Sequence, residues 1–283
     1  MLPEAFATHL ERPLLRGHTP ADACSGAAGG AACGDLIRVS LSVDPDCEEA
    51  RVLDAGFDAS GCGAAIAAGS AVVALVRGQP LLAAARLGAE QIADELGGLH
   101  QAKRHAAELA ADALARALGH AAREHARLAP TSERALVAMS GGVDSAVAAL
   151  LVAGRGGDRD DGRDAQPVAV TLELWADADN DGELSCCSAQ AVRSARALAH
   201  GLGLPHLSID LRAEFRAGVV APWLADHAAG LTPNPCVRCN GEVRLDAMLE
   251  LADRLGCEAL ATGHYARVER EHPHEQGLLR VAA

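Results

Sequence analysis

The hydrophobic rhythm of the chain changes at Pro130, and no single sheet architecture accommodates both rhythms. Before it, Ile37, Val39, Leu41 and Val43 alternate with Arg38, Ser40 and Ser42, which predicts a half-buried strand over Leu36–Val43. A second strand is expected over Ala50–Asp58, a glycine-rich turn over Ser60–Gly63 and an alanine-rich helix from Ala64, then helices near Leu81–Leu96 and Gln101–Leu118. Strands first and helices afterwards favour an α+β fold. After Pro130 the pattern reads strand Arg134–Met139, helix Val143–Ala153, strand Pro167–Leu174, helix Ala189–Leu202 and strand His206–Asp210. Such alternation implies an α/β domain with a parallel sheet and crossover helices. Between the two, GHAAREHARLAPTSE loses its period, so a boundary is expected near Pro130, dividing the chain into 1–129 and 130–283. The charged run Gly157–Ala165 reads as a solvated loop.

Composition narrows the possibilities. Aromatic residues make up 2 % of the chain, so the core must be built from small aliphatics. The net charge of −13 argues against a surface coated for non-specific nucleic-acid binding, and any RNA contact must be local. Nine cysteines without a charged-then-apolar leader suggest free thiols in a reducing compartment. The uncharged stretch Ala59–Val76 is mainly Ala, Gly and Ser, a poor membrane span. The expectation is a soluble, cytoplasmic protein with no membrane partner. His9, His18, His100, His120 and His125 read as solvated surface residues.

Ser140-Gly141-Gly142-Val143-Asp144-Ser145 sits directly between the apolar strand ALVAM and the helix VAALLV. Glycines there let backbone N–H groups approach an anion at a helix N-terminus. A Walker loop would need a lysine, and none is present. The alternative is a plain strand-to-helix turn with Asp144 and Ser145 as local caps. The hexapeptide resembles the PP-loop of ATP pyrophosphatases, a family that includes amide-forming synthetases. Three further words specify more: VTLELW (170–175), TPNPCVRCN (232–240) and ATGHYAR (261–267). With SGGVDS they resemble the tRNA-specific 2-thiouridylases over about Glu133–Val268.

That resemblance implies a PP-loop (adenine nucleotide alpha hydrolase-like) fold and ATP-dependent replacement of the C2 oxygen of a wobble uridine in tRNA by sulfur. A uracil oxygen leaves poorly unless adenylated, so activation must precede attack by sulfur. By position, Ala138, Met139, Ser140, Gly141, Gly142, Val143, Asp144, Ser145, Leu172 and Gly263 would line the site for ATP and its Mg2+. Asn234, Pro235 and Cys236 would approach the tRNA base, with Cys239 and Cys236 as catalytic thiols and a cysteine desulfurase or other sulfur donor as partner. Cys236 and Cys239 also read as half of a zinc or iron–sulfur site that Cys186 and Cys187 could complete. Cys257 reads as a core residue. The resemblance also implies a further C-terminal part beyond Ala283.

In the first half, ACGD (32–35), SGCGAAIA (60–67) and KRH (103–105) resemble the IscU/NifU-type iron–sulfur scaffold proteins over about Leu14–Ala121. The resemblance implies that Cys33, Asp35, Cys62 and His105 converge on a cluster or zinc ion, with Ala106 standing where the scaffold carries a further cysteine. Cys24, in the glycine-rich stretch, could swing in as a substitute. The alternative is a degenerate scaffold whose cysteines only pack. Cys47 has no assigned role. Together the two halves suggest a scaffold module that supplies sulfur or a cluster to a thiouridylase module. The rival is a non-catalytic cluster carrier with a degenerate nucleotide-binding domain.

Overall fold

Alternation at Ile37, Val39 and Leu41 produces the central strand of an antiparallel meander, with those three side chains fully buried. The computed structural model describes residues 3–29, 34–44, 49–154, 166–175, 189–269 and 278–281. After α1 (Glu4–Glu11) come β1 (Cys24–Gly29), β2 (Leu36–Val43) and β3 (Val52–Ser60), ordered β1-β2-β3. Helices α2 (Gly63–Val76), α3 (Leu81–Ala84), α4 (Ala89–Glu95) and α5 (Arg104–Glu124) follow, which is the α+β order expected. α2 is apolar nearly all round and is buried accordingly, packing on β3, α1 and α5.

Three expectations need correction. Cys24–Gly29 of the glycine-rich stretch forms β1, in which Cys24 pairs with Leu41 and is buried, so Cys24 is not free to swing toward any site. Small residues with no hydrophobic alternation concealed that strand. The Leu81–Leu96 helix is two short helices, because Gly88 opens the second by donating its N–H to Gln91 Oε1 (2.9 Å). His9 is not solvated, since its Nδ1 meets the buried Ser70 hydroxyl at 2.8 Å.

The second half contains β4 (Thr131–Ala138), α6 (Val143–Val152), β5 (Gln166–Glu173), α7 (Ala189–Gly201) and β6 (His206–Asp210). Then come α8 (Arg212–Phe215), α9 (Ala221–Ala228), α10 (Pro235–Arg238), α11 (Asp246–Arg254) and β7 (Cys257–Ala261), with π-helical stretches at Arg216–Val220 and Cys239–Leu245. A two-stranded pair, β8 (Ala266–Glu269) and β9 (Leu278–Val281), closes the described chain. β6-β5-β4-β7 form a four-stranded sheet, parallel throughout. Val137, Met139 and Ala169 on one face pack against Ala149 of α6 and Ala195 and Ala199 of α7. Leu136, Val168, Val170 and Leu207 on the other join a core shared with α11 and with Leu114 and Leu118 of α5.

That shared core fuses the halves. α5 is clamped between the two sheets: a Cβ on Gly26 of β1 would fall 2.3 Å from Ala113 O, and one on Gly119 would fall 2.0 Å from Ser208 O of β6. The outer edge of β6 is also occupied, because His206 N–H donates to Ala85 O at 2.9 Å. Buried ion pairs seal the contact, Asp112 of α5 with Arg196 of α7 and Arg116 of α5 with Glu173 of β5. Among the described residues no helix is long and apolar enough to cross a membrane.

Candidate functional site

Parallel strands converge at their C-terminal ends, where a ligand cleft is expected. β4 ends at Ala138, and the chain turns through Ser140–Gly142 into α6. Gly141 adopts φ +81°, a left-handed conformation, with its Cβ position 2.9 Å from Ala191 O. Gly142 is the N-cap, and no side chain caps α6, so the first-turn amides face outward without a covering group of their own helix. Ser145 Oγ ties the turn together, donating to Gly142 O (2.9 Å) and accepting from Ser140 N–H (3.2 Å). Asp144 is not a cap; its carboxylate accepts the Tyr265 hydroxyl at 2.8 Å. That bond raises the pKa of Tyr265, whose phenol is otherwise exposed.

A cavity of about 210 Å³ opens here. Of the residues expected at an ATP site, Ala138, Met139, Ser140, Asp144, Ser145, Leu172 and Gly263 line it. Gly141 and Gly142 form the turn itself and Val143 opens α6, all three outside that lining. Gly263 approaches so closely that a Cβ would fall 2.8 Å from Ser145 N, which places the 262–265 loop across the start of α6. Sequence reasoning missed Val170, Thr171, Arg244, Met248, Thr262 and His264 in the wall. Thr171 was legible as the neighbour of Leu172 on β5; Arg244 and Met248 were not, since only the turn of the long helix brings them in. The Thr171 hydroxyl donates to Met139 O and accepts from His206 Nε2, both at 2.9 Å. His206 is fully buried, which drives its pKa well below the usual histidine value and keeps the ring neutral.

The second half of the TPNPCVRCN word is helical. Asn234 Oδ1 accepts from Cys236 N–H at 3.0 Å and starts α10, so Cys236 and Cys239 lie on helix. Neither lines the cavity, but both belong to the helical run that carries Arg244 and Met248 into it. Cys236 is exposed and Cys239 partly buried. Cys186 and Cys187 lie outside the described residues, as does Cys47. Cys257 opens β7 half-buried instead of within the core, and burial pushes its thiol up to about 11.

A second cluster lies in the first half. Asp35, Cys62 and His105 place their ligand atoms within 4.8 Å of one another. Asp35 is 3 % exposed; its Oδ1 accepts Cys62 N–H at 2.7 Å, and its Oδ2 stands 3.1 Å from both Cys62 Sγ and His105 Nε2. Burial alone would raise the Asp35 pKa, yet the bonds from Cys62 and His105 outweigh it and hold the carboxyl below the ordinary range. Gly61 makes room with φ +121°, for a Cβ there would fall 2.0 Å from Asp35 Oδ1. Cys62 is the N-cap of α2, so its sulfur stands at the start of that helix beside Asp35 and His105. Carboxylate, thiolate and imidazole aimed at one point suit a borderline metal such as zinc. Cys33, the fourth expected ligand, lies outside the described residues. Cys24 is no substitute, because burial raises its thiol to about 11.

Residues 133–282 match the family described as tRNA methyl transferase HUP domain, and residues 4–126 match the family described as NifU-like N terminal domain. A protein of Rubrobacter xylanophilus named "Bifunctional protein NifU/MnmA" is 44 % identical over 274 residues, covering 92 % of this chain and 53 % of the relative. Proteins named "tRNA-specific 2-thiouridylase MnmA" are similar over the second half alone. That of Amoebophilus asiaticus is 42 % identical over 142 residues (49 % of this chain, 36 % of the relative), and that of Sorangium cellulosum 46 % over 140 residues (49 % and 34 %). The chain thus spans about half the length of the first relative and about a third of the other two.

Proposed function

Because this chain belongs to the family described as tRNA methyl transferase HUP domain, we propose that its second half is the ATP-binding part of a tRNA-uridine 2-sulfurtransferase, acting in the cytoplasm. The observation that carries this reading is the meeting of three separate sequence words, SGGVDS, VTLELW and ATGHYAR, around one cavity at the ends of parallel strands. The amides at the start of α6 bind the phosphates of ATP, and Ala138–Ser145, Leu172 and Gly263 hold the nucleotide. Asp144, the carboxylate in the cavity wall, is the hard oxygen donor available to the Mg2+ that accompanies ATP.

The uridine O2 attacks the α-phosphorus of ATP, the bond to pyrophosphate breaks, and the base carries an adenylated oxygen. A sulfur nucleophile then attacks C2 and AMP departs. Cys239 carries the transferred sulfur as a persulfide loaded by the sulfur donor, and its outer sulfur bonds to C2 as AMP leaves, with Asn234–Cys236 approaching the unstacked base of the tRNA. The Cys236 thiol then attacks the Cys239 sulfur, the persulfide S–S bond breaks, and 2-thiouridine and a Cys236–Cys239 disulfide result. Residues 1–129 form the scaffold module and 130–283 the nucleotide module. In the first, Asp35, Cys62 and His105, with Cys33, hold the zinc ion or the iron–sulfur cluster that is the module's cargo. A cysteine desulfurase or another sulfur donor supplies the sulfur.

The direct test is an equilibrium titration with a fluorescent ATP analogue, followed by incubation with tRNA and sulfide. Saturable binding that Gly141→Ala abolishes, with AMP and 2-thiouridine formed together, is the expected result. Absence of nucleotide binding in the folded protein overturns the reading.

A further inference from the structure

The phosphate turn lies between two elements, and one helix of the first half fastens both. On one side Gly141 packs on α7, its Cβ position 2.9 Å from Ala191 O and 3.4 Å from Ser194 Cβ. α7 is fixed in turn by Asp112 of α5, whose carboxylate accepts Arg193 Nε at 3.0 Å and Arg196 Nη2 at its other oxygen. On the other side Thr171 and Leu172 of β5 wall the cavity. The next residue, Glu173, is buried and accepts three bonds from Arg116 of α5, at 2.8, 3.1 and 2.9 Å. Arg116 Nη1 also donates to Ala27 O of β1 at 2.7 Å, so a single guanidinium bridges the two sheets.

We propose that Asp112 and Arg116 are positioning residues for the nucleotide site, which makes the first half a working part of ATP binding and not only a tethered donor. The proposal rests on the nucleotide reading above. Neither side chain touches the cavity. They act through buried charge: without Arg116 the Glu173 carboxylate loses all three of these hydrogen bonds and keeps only the field of Arg212, so it takes a proton or draws water to itself, and either response moves β5 one residue from Leu172. A fork of parallel N–H donors fixes the carboxylate in plane as well as in distance, which a lysine cannot do. At Asp112, one carboxylate shared by two arginines holds α7 against α5, and α7 is the surface on which the left-handed Gly141 rests.

The test uses the full chain with Arg116→Gln, Arg116→Lys and the double variant Arg116→Gln/Glu173→Gln. Three quantities are read for each: ATP affinity by fluorescent-analogue titration, Co2+ absorption at Asp35, Cys62 and His105, and melting temperature. Arg116→Gln is expected to weaken ATP binding about tenfold while the Co2+ spectrum is unchanged, a size typical of coupling between sites. The double variant should return to within about threefold of wild type, because a neutral buried pair needs no counter-charge. Arg116→Lys should fall between, and it carries the test should Arg116→Gln fail to fold.

Wild-type ATP affinity in any folded single variant of Arg116 overturns the proposal. So does a double variant no better than Arg116→Gln, which would reduce Arg116 to general support. A wild-type chain that binds Co2+ but no ATP strikes down the nucleotide reading instead, and this proposal with it.

Discussion

Adding one methyl group at Gly119 tests whether the halves are joined as described. In Gly119→Ala the new carbon would stand 2.0 Å from Ser208 O and 2.8 Å from its carbonyl carbon, both backbone atoms of β6 that cannot rotate away. Ordinary contact needs more than 3 Å, so α5 and β6 must separate by about 1 Å, an overpacking cost of roughly 1–3 kcal/mol. The same shift stretches the Arg116–Glu173 and Asp112–Arg196 pairs, and a broken buried pair costs roughly 3–5 kcal/mol. Against this, alanine gains about 1 kcal/mol over glycine in a helix interior. A net loss of roughly 3 kcal/mol corresponds to a melting temperature about 6–12 °C lower for a chain of this size. Gly201→Ala is the control: a Cβ there meets nothing within 4 Å, and the change should be neutral or slightly stabilising. Differential scanning calorimetry of both variants decides. If Gly119→Ala melts within about 1 °C of wild type, the clamped arrangement of α5 is refuted.

Other outcomes follow from the same structure. Cys62→Ala should remove the thiolate-to-metal absorption band on Co2+ titration and weaken Co2+ binding by about a hundredfold, since it deletes the only soft donor among the described residues of the triad. Gly141→Ala, forced to φ +81° with its Cβ 2.9 Å from Ala191 O, should cost about 1–2 kcal/mol in a urea titration and abolish ATP binding. Asp35, Asp54 and Asp210 all have lowered carboxyl pKa values, so their stabilisation is complete above about pH 4 and is lost as pH falls through their folded values. His206 adds to this acid sensitivity from a higher pH, because the unfolded ring takes a proton below about 6.5 while the buried ring stays neutral; urea unfolding between pH 3 and 8 should show both. Under native conditions iodoacetamide should label the exposed Cys236 well before Cys24 and Cys257, whose thiols burial raises to about 11, as peptide mass mapping over time would show.

Period carried most of the fold into view. β2 and β6 have the residues that alternation and apolar runs assign them, because a strand with one wet face or none leaves a pattern of period two or an unbroken apolar run. β1 left none: CSGAAG buries its alternate residues only because α5 happens to cross it, and the small side chains that permit the crossing carry little hydrophobic signal. In the candidate sites, the local words located SGGVDS, Asp35, Cys62 and His105, since each is fixed by a turn or cap within a few residues. Arg244, Met248 and the Asp112–Arg196 and Arg116–Glu173 pairs were invisible for the opposite reason. Their partners stand tens of residues away, and an arginine on an alanine-rich helix looks like solvated charge until a second sheet is laid against it.

The packing of β6 on α5 also bears on how the protein is made. During synthesis α5 leaves the ribosome with one flank satisfied by β1 and the other bare, and β6 is complete only 86 residues after Glu124. At typical elongation rates that is roughly 4–17 s in which a small-residue, apolar helix flank stands open in a crowded cell. The nascent chain therefore passes through a sticky half-finished stage, and slowing translation between the two elements should raise its dependence on chaperones.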